Sequence, residues 1–351
     1  MDQFVCVRLV QANAMDLALF QFDYDLTFAV FFMNADKTIY GRFGSRSDNT
    51  EAVRDISIEG LRAALQAALE LHRRYPANRE SLAGKQPQPV RFNAPEEYPS
   101  LKGKYQPKLD YEGKVVQSCL HCHQVREAER KWWRAEGRPM PEEVLHPWPM
   151  PDVVGLELDP TTKATVRKVA PQSPAARAGF KPGDALLSLS GQPLLSLADV
   201  QWVIHHAPSP ATLRARVQRG RRQRDLTLEL PADWRGSSDI SWRTTTWDLR
   251  RMVTGGLVLK ELPDAERRQA GLAENSLGLL VHYVGEYGEH GAGKRAGFKK
   301  SDILVSVDGK TDRLSESQLM ARLLQQAPAG AKIPVTVFRA GERVSLELPV
   351  Q

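Results

Sequence analysis

The chain has 351 residues, 42% of them hydrophobic, and a formal charge of +6 from 48 basic and 42 acidic side chains. That length fits two or three domains with ordinary cores, and a charge so nearly balanced gives no expectation of a nucleic-acid partner. The one basic cluster, Arg214–Arg224, reads as an exposed hairpin rather than a polyanion site. No apolar run approaches the ~18–20 residues of a membrane span; the longest, Thr27–Met33, is strand-sized. The opening MDQFVCVRLV has neither the basic n-region nor the cleavage site of a signal peptide. It starts inside an apolar, strand-like run, so the expectation is a missing N-terminal piece that could carry an export signal.

In chain order, Phe4–Leu9 reads as a strand that buries Cys6, Ala14–Phe20 as a short helix and Leu26–Met33 as an apolar strand. A turn at Asn34–Lys37 then returns the chain along Thr38–Phe43. Ile58, Leu61, Leu65, Ala68 and Leu71 stand at helical spacing over Ile58–Arg73. Residues 83–113 are polar and rich in Pro, Gly and Lys, which predicts a linker; Gln117–Glu136 has helical character, and Gly137–Pro151 is again proline-rich. From Asp152 short β runs take over and an internal repeat begins. Arg177–Gly191 aligns without a gap on Arg295–Gly309, with nine of fifteen positions identical. Each copy is followed by a helix, Ser196–His206 or Ser315–Gln326, and then by two strands. The domains expected are 1–82, a linker and helical segment at 83–151, a first module at 152–231, a connector at 232–253 and a second module at 254–350.

Three cysteines, Cys6, Cys119 and Cys122, do not make a disulfide framework. Cys119-Leu120-His121-Cys122-His123 has the spacing of a c-type haem attachment site: two thiols on one helical turn can each add to a vinyl group, and the following His123 can ligate iron. Met150, flanked by Pro149 and Pro151, is the candidate distal ligand, with Met140 and His146 as alternatives, and Trp132 and Trp133 could cover a haem face. Two other readings stay open. Cys119, Cys122, His121 and His123 could hold zinc or another metal, or Cys119 and Cys122 could be a redox dithiol with Cys119 the attacking thiolate. His205 and His206 complement a helix C-terminus, Trp234-Arg235 and Ser241-Trp242-Arg243 read as docking of the connector, and Asp23 and Asp25 read as loop residues. No Gly-x-Ser-x-Gly or Gly-Asn-Ser-Gly-Gly segment presents a nucleophile.

The order strand, helix, strand, strand, helix over residues 1–82 resembles the second half of a thioredoxin-like domain. It lacks that fold's first strand and redox helix, and has Leu26 where the family places a cis-proline, so the resemblance implies a scaffold without thiol chemistry. The repeat resembles bacterial PDZ domains appended to exported serine proteases. It does so through Ser173-Pro174-Ala175-Ala176, Ala178-Gly179-Phe180 and Gly183-Asp184; the second copy departs with Ser301 before Asp302 and a long insert at Gly285–Gly293.

That resemblance implies binding of protein or peptide C-termini by strand addition. The carboxylate loops would be Val154-Gly155-Leu156-Glu157 and Gly255-Gly256-Leu257-Val258, with Val200, Val203 and Ile204 on the groove helix. Either module could instead dock internally and bind no peptide. The fold class expected is multi-domain α+β: a partial thioredoxin-like domain, a helical Cys-x-x-Cys-His segment and two PDZ-like modules, an arrangement that resembles exported proteins of bacteria such as planctomycetes. The function expected is an exported, non-enzymatic haem-c protein for electron transfer or redox sensing, acting with a redox partner in the periplasm or another extracytoplasmic space. A non-catalytic peptide-binding scaffold and a thiol oxidoreductase at Cys119/Cys122 are the alternatives.

Overall fold

The computed structural model describes residues 3–48 and 54–351, and the chain divides into two compact units. Residues 1–128 with 146–238 form the first, and residues 129–145 with 239–351 the second. The two opening residues, read above for a leader, lie outside the described ones.

The first unit begins with an antiparallel hairpin, β1 (Val30–Met33) and β2 (Ile39–Phe43), followed by helix α1 (Ile58–Arg74). Ser57 caps α1 by accepting the Gly60 N–H at 2.9 Å. Helix α2 (Cys122–Ala135) contributes residues 122–128 to this unit. The sheet that follows runs in the order β3 (Leu156–Asp159), β4 (Thr165–Val169), β5 (Ala185–Leu189), β7 (Ala211–Arg219), β8 (Arg222–Leu230), with the short β6 (Gln192–Pro193) paired to β5 and helix α3 (Leu197–His205) between β6 and β7. The β7–β8 hairpin holds the basic cluster at its exposed turn, as its alternating burial requires.

The N-terminal region differs from the thioredoxin-like expectation. Among the described residues its sheet has two strands, and Phe4–Leu9 and Ala14–Phe20 form neither strand nor helix. The first of these segments joins no sheet. Val5 and Val7 are 94% and 81% exposed, and Cys6 is exposed rather than buried. What the hairpin and α1 build instead is a cover for α3: Phe32, Tyr40, Phe43, Ala64, Ala68 and Leu71 share one core with Leu195, two residues ahead of that helix.

Charge is buried in this cover. Lys85 Nζ lies 2.8 Å from Asp199 Oδ2, both fully out of solvent, and Asp199 also accepts the backbone N–H groups of Arg42 (3.1 Å) and Leu195 (2.9 Å). Arg42 itself is buried over the Trp202 ring at 3.5 Å, and burial pulls its guanidinium down to about 9.

The second unit repeats the sheet plan in the order β9 (Leu257–Glu261), β10 (Leu279–Val284), β11 (Ile303–Val307), β12 (Lys332–Arg339), β13 (Glu342–Pro349). Helix α4 (Thr246–Thr254) precedes β9, and α5 (Glu316–Gln326), which starts with a capping box at Ser315 and Gln318, sits between β11 and β12.

One interaction recurs in both modules. In the first, Arg219 grips Asp184 with two bonds of 2.6 and 2.7 Å and also donates to Gly179 O at 2.8 Å, while Asp184 accepts the Lys181 N–H. In the second, Arg339 holds Asp302 at 2.6 and 2.7 Å and Gly297 O at 2.8 Å, and Asp302 accepts the Lys299 N–H. Each fork ties the loop ahead of β5 or β11 to the end of β7 or β12.

Two tests follow from these buried charges. Asp199→Ala leaves Lys85 without its counter-ion and is expected to cost about 3–5 kcal/mol in urea unfolding. For Asp184, burial alone would raise the carboxyl, but the bonds from Arg219 and the Lys181 N–H outweigh it and hold the group below its usual value. A depressed folded-state value means stabilisation that is present above the ordinary carboxylate range and lost as pH falls through the folded value. Arg219→Met is therefore expected to lower the urea midpoint at neutral pH and to flatten the loss of stability on acidification below about pH 4.

Candidate peptide-binding site

In the first module a short helical turn, Pro151–Val154, ends at Gly155 with φ +87°. A Cβ there would lie 2.1 Å from Ser173 Oγ, so only glycine fits. Ala170 N–H bonds to Gly155 O at 2.9 Å and fixes the loop that opens β3. β3 then forms one edge of the sheet. Leu156 and Leu158 point into the core, while Glu157 and Asp159 alternate outward, Glu157 pairing with Arg167. Geometrically this is a glycine-led edge strand with two alternating faces, the arrangement that strand addition uses.

The helix beside it is less open than its sequence suggests. Every residue from Leu197 to Ile204 is buried, and Val200, Val203 and Ile204 lie in the module's own core. The side of α3 away from that core is covered as well. Gln201 accepts Ser45 Oγ at 2.6 Å and donates to Trp148 O at 3.0 Å, and the Trp148 ring stacks on His205 at 4.3 Å. Along this edge Glu157 and Asp159 are the partly exposed residues, while Gly155 and Leu156 are buried, as α3 is.

The second module has the same parts in a closed arrangement. Gly256, at φ +84°, sits against the insert, where a Cβ would meet His290 O at 1.9 Å; Leu257 is buried and Val258 half-buried. β9 is again an edge strand, but its Leu259 N–H donates to Glu316 Oε1 at 2.8 Å, across to the first turn of α5. Glu316 also takes two bonds from Arg250 on α4, at 2.9 and 2.6 Å, and both side chains are buried. Leu249, Met252 and Val253 of α4 pack in one core with Leu257 and Leu259 of β9 and with Leu319 and Leu323 of α5. A single carboxylate spans strand to helix and occupies the Leu259 N–H that an added strand would use.

The Cys-x-x-Cys-His segment is built differently from a haem crevice. Cys119 ends a short helical turn, Val115–Ser118, and Cys122 opens α2. Between them Leu120 is fully buried. Its N–H donates to Asn13 Oδ1 and its carbonyl accepts Ala12 N–H, each at 2.8 Å, which staples the motif to residues 12–13. Burial pushes the Cys122 thiol up, away from a reactive thiolate. His123 faces Glu127 at 3.5 Å, whose bond raises its pKa, and its ring stacks on His121. Met150 packs against the core of the first sheet, His146 is buried, Met140 belongs to the core of the second unit and Trp133 packs against that core. Trp132 meets Trp133 edge-on at 4.8 Å. Among the described residues no three His, Cys, Asp or Glu side chains converge as metal ligands.

The clamp arginines, Arg219 and Arg339, escaped the sequence reading because they stand 35 and 37 residues from their aspartates. The signal that could have found them is the repeat itself, since both copies place the arginine at the turn joining the last two strands.

Residues 145–230 match the PDZ domain family, so the chain is a mixed α+β protein that includes a PDZ domain. Among curated proteins it is 24% identical over 184 residues to a probable periplasmic serine endoprotease DegP-like of Marinomonas sp. (strain MWYL1), covering 52% of this chain and 36% of that protein. It is 28% identical over 191 residues to the periplasmic pH-dependent serine endoprotease DegQ of Escherichia coli (strain K12), covering 54% and 37%. The match spans little more than a third of these relatives' length. Among solved structures, the HtrA-type protease AlgW with decapeptide is 19% identical with a TM-score of 0.24, over 36% of each chain.

These matches overturn the haem-c, zinc, redox and thioredoxin-like readings, which none of the relatives' descriptions share, and the expectation of a non-enzymatic protein, since the relatives are named as serine endoproteases. The extracytoplasmic location holds on new grounds: the relatives are periplasmic, whereas the haem argument for it has fallen. No helix among the described residues is long and apolar enough to cross a membrane.

Closure of the second module is testable by substitution. Glu316→Ala leaves Arg250 buried without its counter-ion and is expected to cost about 3–5 kcal/mol. Amide exchange at Leu259 should accelerate by at least about tenfold, whereas an unchanged Leu259 would contradict the bond.

Proposed function

We propose that this protein supplies polypeptide recognition to a DegP-type periplasmic serine endoprotease activity, its PDZ domain taking extended chain ends along β3. The single observation that carries the reading is the edge strand Leu156–Asp159 led by Gly155, in the domain that matches the PDZ family. Backbone groups of the edge would supply affinity, and the loop N–H groups would hold a terminal carboxylate. The relatives' endoprotease names support the proteolytic setting. The second module's closed edge supports the first as the site of capture.

The test is fluorescence anisotropy on the full chain with a decapeptide ending in a free apolar residue, against the same peptide amidated. Binding at about 1–100 µM, weakened at least about tenfold by amidation, is expected. Equal binding of both peptides, or none of either, would remove the reading. A serine-directed fluorophosphonate probe on the same sample reports separately whether this chain itself bears a reactive serine.

A further inference from the structure

The second unit carries an open cavity of about 500 Å³ that lies away from its closed strand edge. It exists because β10 parts from β11. The two strands pair only at Leu279 and Leu280, and the last bonds across the gap are Val281 N–H to Asp302 O at 2.8 Å and Ser301 N–H to Val281 O at 2.9 Å. Beyond Val281, β10 continues with a partner on its β9 side alone. Into the wedge so opened face His282, Tyr283, Glu286, Lys294, Lys299 and Lys300.

The charge of this wall is unbalanced. Glu286 is paired with Lys294 at 3.3 Å, and the nearby Glu289 with Arg251 at 2.8 Å. Lys299 and Lys300, both exposed, have no carboxylate within ion-pair distance among the described residues. The Lys299 backbone is pinned by the Asp302 carboxylate at 2.8 Å, so the stem of that lysine leaves a fixed point.

Aromatic surface adjoins it: Tyr283 is 44% exposed, and Trp247, 42% exposed, stands with its ring 6.0 Å from Tyr283 and 6.3 Å from His290. Exposed aromatic surface beside unpaired cations is the composition of a binding patch rather than of a solvated face. The first module parts β4 from β5 in the same way but has Lys168 and Pro182 where the second has Tyr283 and Lys300, so the aromatic and dibasic wall belongs to the second copy.

We propose that this wedge binds an extended acidic segment of another polypeptide, its carboxylates set against Lys299 and Lys300 and an apolar side chain laid on Tyr283 and Trp247. An extended chain fits because the side of β10 past Val281 has no strand beside it. Acidic side chains fit because the unpaired charge is positive. The site does not depend on capture at β3, since no free terminus is needed.

The probe is an acetylated, amidated dodecapeptide of alternating Glu and Asp with one central Phe, titrated into the full chain at low salt. Saturable binding below about 0.5 mM is expected. It should weaken at least about tenfold in Lys299→Glu/Lys300→Glu and about threefold in Tyr283→Ala, and should fall as salt rises. Both variants alter exposed side chains, and an unchanged melting temperature will show that the fold survives. No binding, or binding unaltered by the lysine reversals, overturns the proposal. So does equal, mutually competitive binding of a single-stranded oligonucleotide or of anionic vesicles of matched charge, which would make the wedge a general polyanion surface.

Discussion

The arginine fork on Asp184 and its twin on Asp302 are what the two modules are built around. Each carboxylate is buried at the corner where the chain enters a central strand, and each accepts two guanidinium bonds and one backbone N–H. A buried carboxylate so bonded fixes three things at once: the corner loop, the start of the central strand and the end of the strand that closes the sheet. With those fixed, the glycine-led edge strand and the helix floor have one relative placement. The parting of β4 from β5 in the first module and of β10 from β11 in the second both begin at the strand this corner holds, since Val166 N–H bonds to Asp184 O as Val281 N–H bonds to Asp302 O.

From this shared frame the modules diverge through one acidic residue each in the first turn of the helix. Asp199 turns away from β3, toward Lys85 and the Arg42 N–H of the hairpin, and leaves the edge strand unbridged by it. Glu316 reaches the Leu259 N–H of the edge strand itself and draws Arg250 in behind it. The same buried-carboxylate device anchors a covering hairpin in one copy and closes the strand edge in the other. An internal duplication thus yields one module suited to strand addition and one whose free surface lies elsewhere, at the wedge.

Much of this was legible in the residues, and the failures have physical causes. The repeat Arg177–Gly191 against Arg295–Gly309 carried the sheet plan, because Gly and Asp at those corners serve backbone geometry that local sequence encodes. The hairpin at Val30–Phe43 and the helix from Ile58 followed from turn chemistry and periodicity. Phe4–Leu9 misled because an apolar, β-branched run reads as a strand whether or not a partner strand exists, and here none pairs with it. Val200, Val203 and Ile204 could not be assigned to groove or core from spacing, since both faces of α3 are covered. Cys119–His123 misled most. A five-residue spacing can satisfy a haem motif, but the packing of Leu120 onto Asn13, the Cys122 burial and the placement of Met150 are tertiary facts. Asp199 and Glu316 gave no local sign of their different partners, Lys85 and Arg250, which lie 114 and 66 residues away in sequence.

The difference between the two modules rests on the β3 edge being open and the β9 edge closed. The most direct measurement is amide hydrogen exchange across the full chain, with and without a saturating free-carboxylate peptide. Protection rising along Leu156–Asp159 while Leu257–Glu261 stays unchanged is the result the account requires. Protection gained at Leu257–Glu261, or no change at Leu156–Asp159 with the peptide bound, would contradict it.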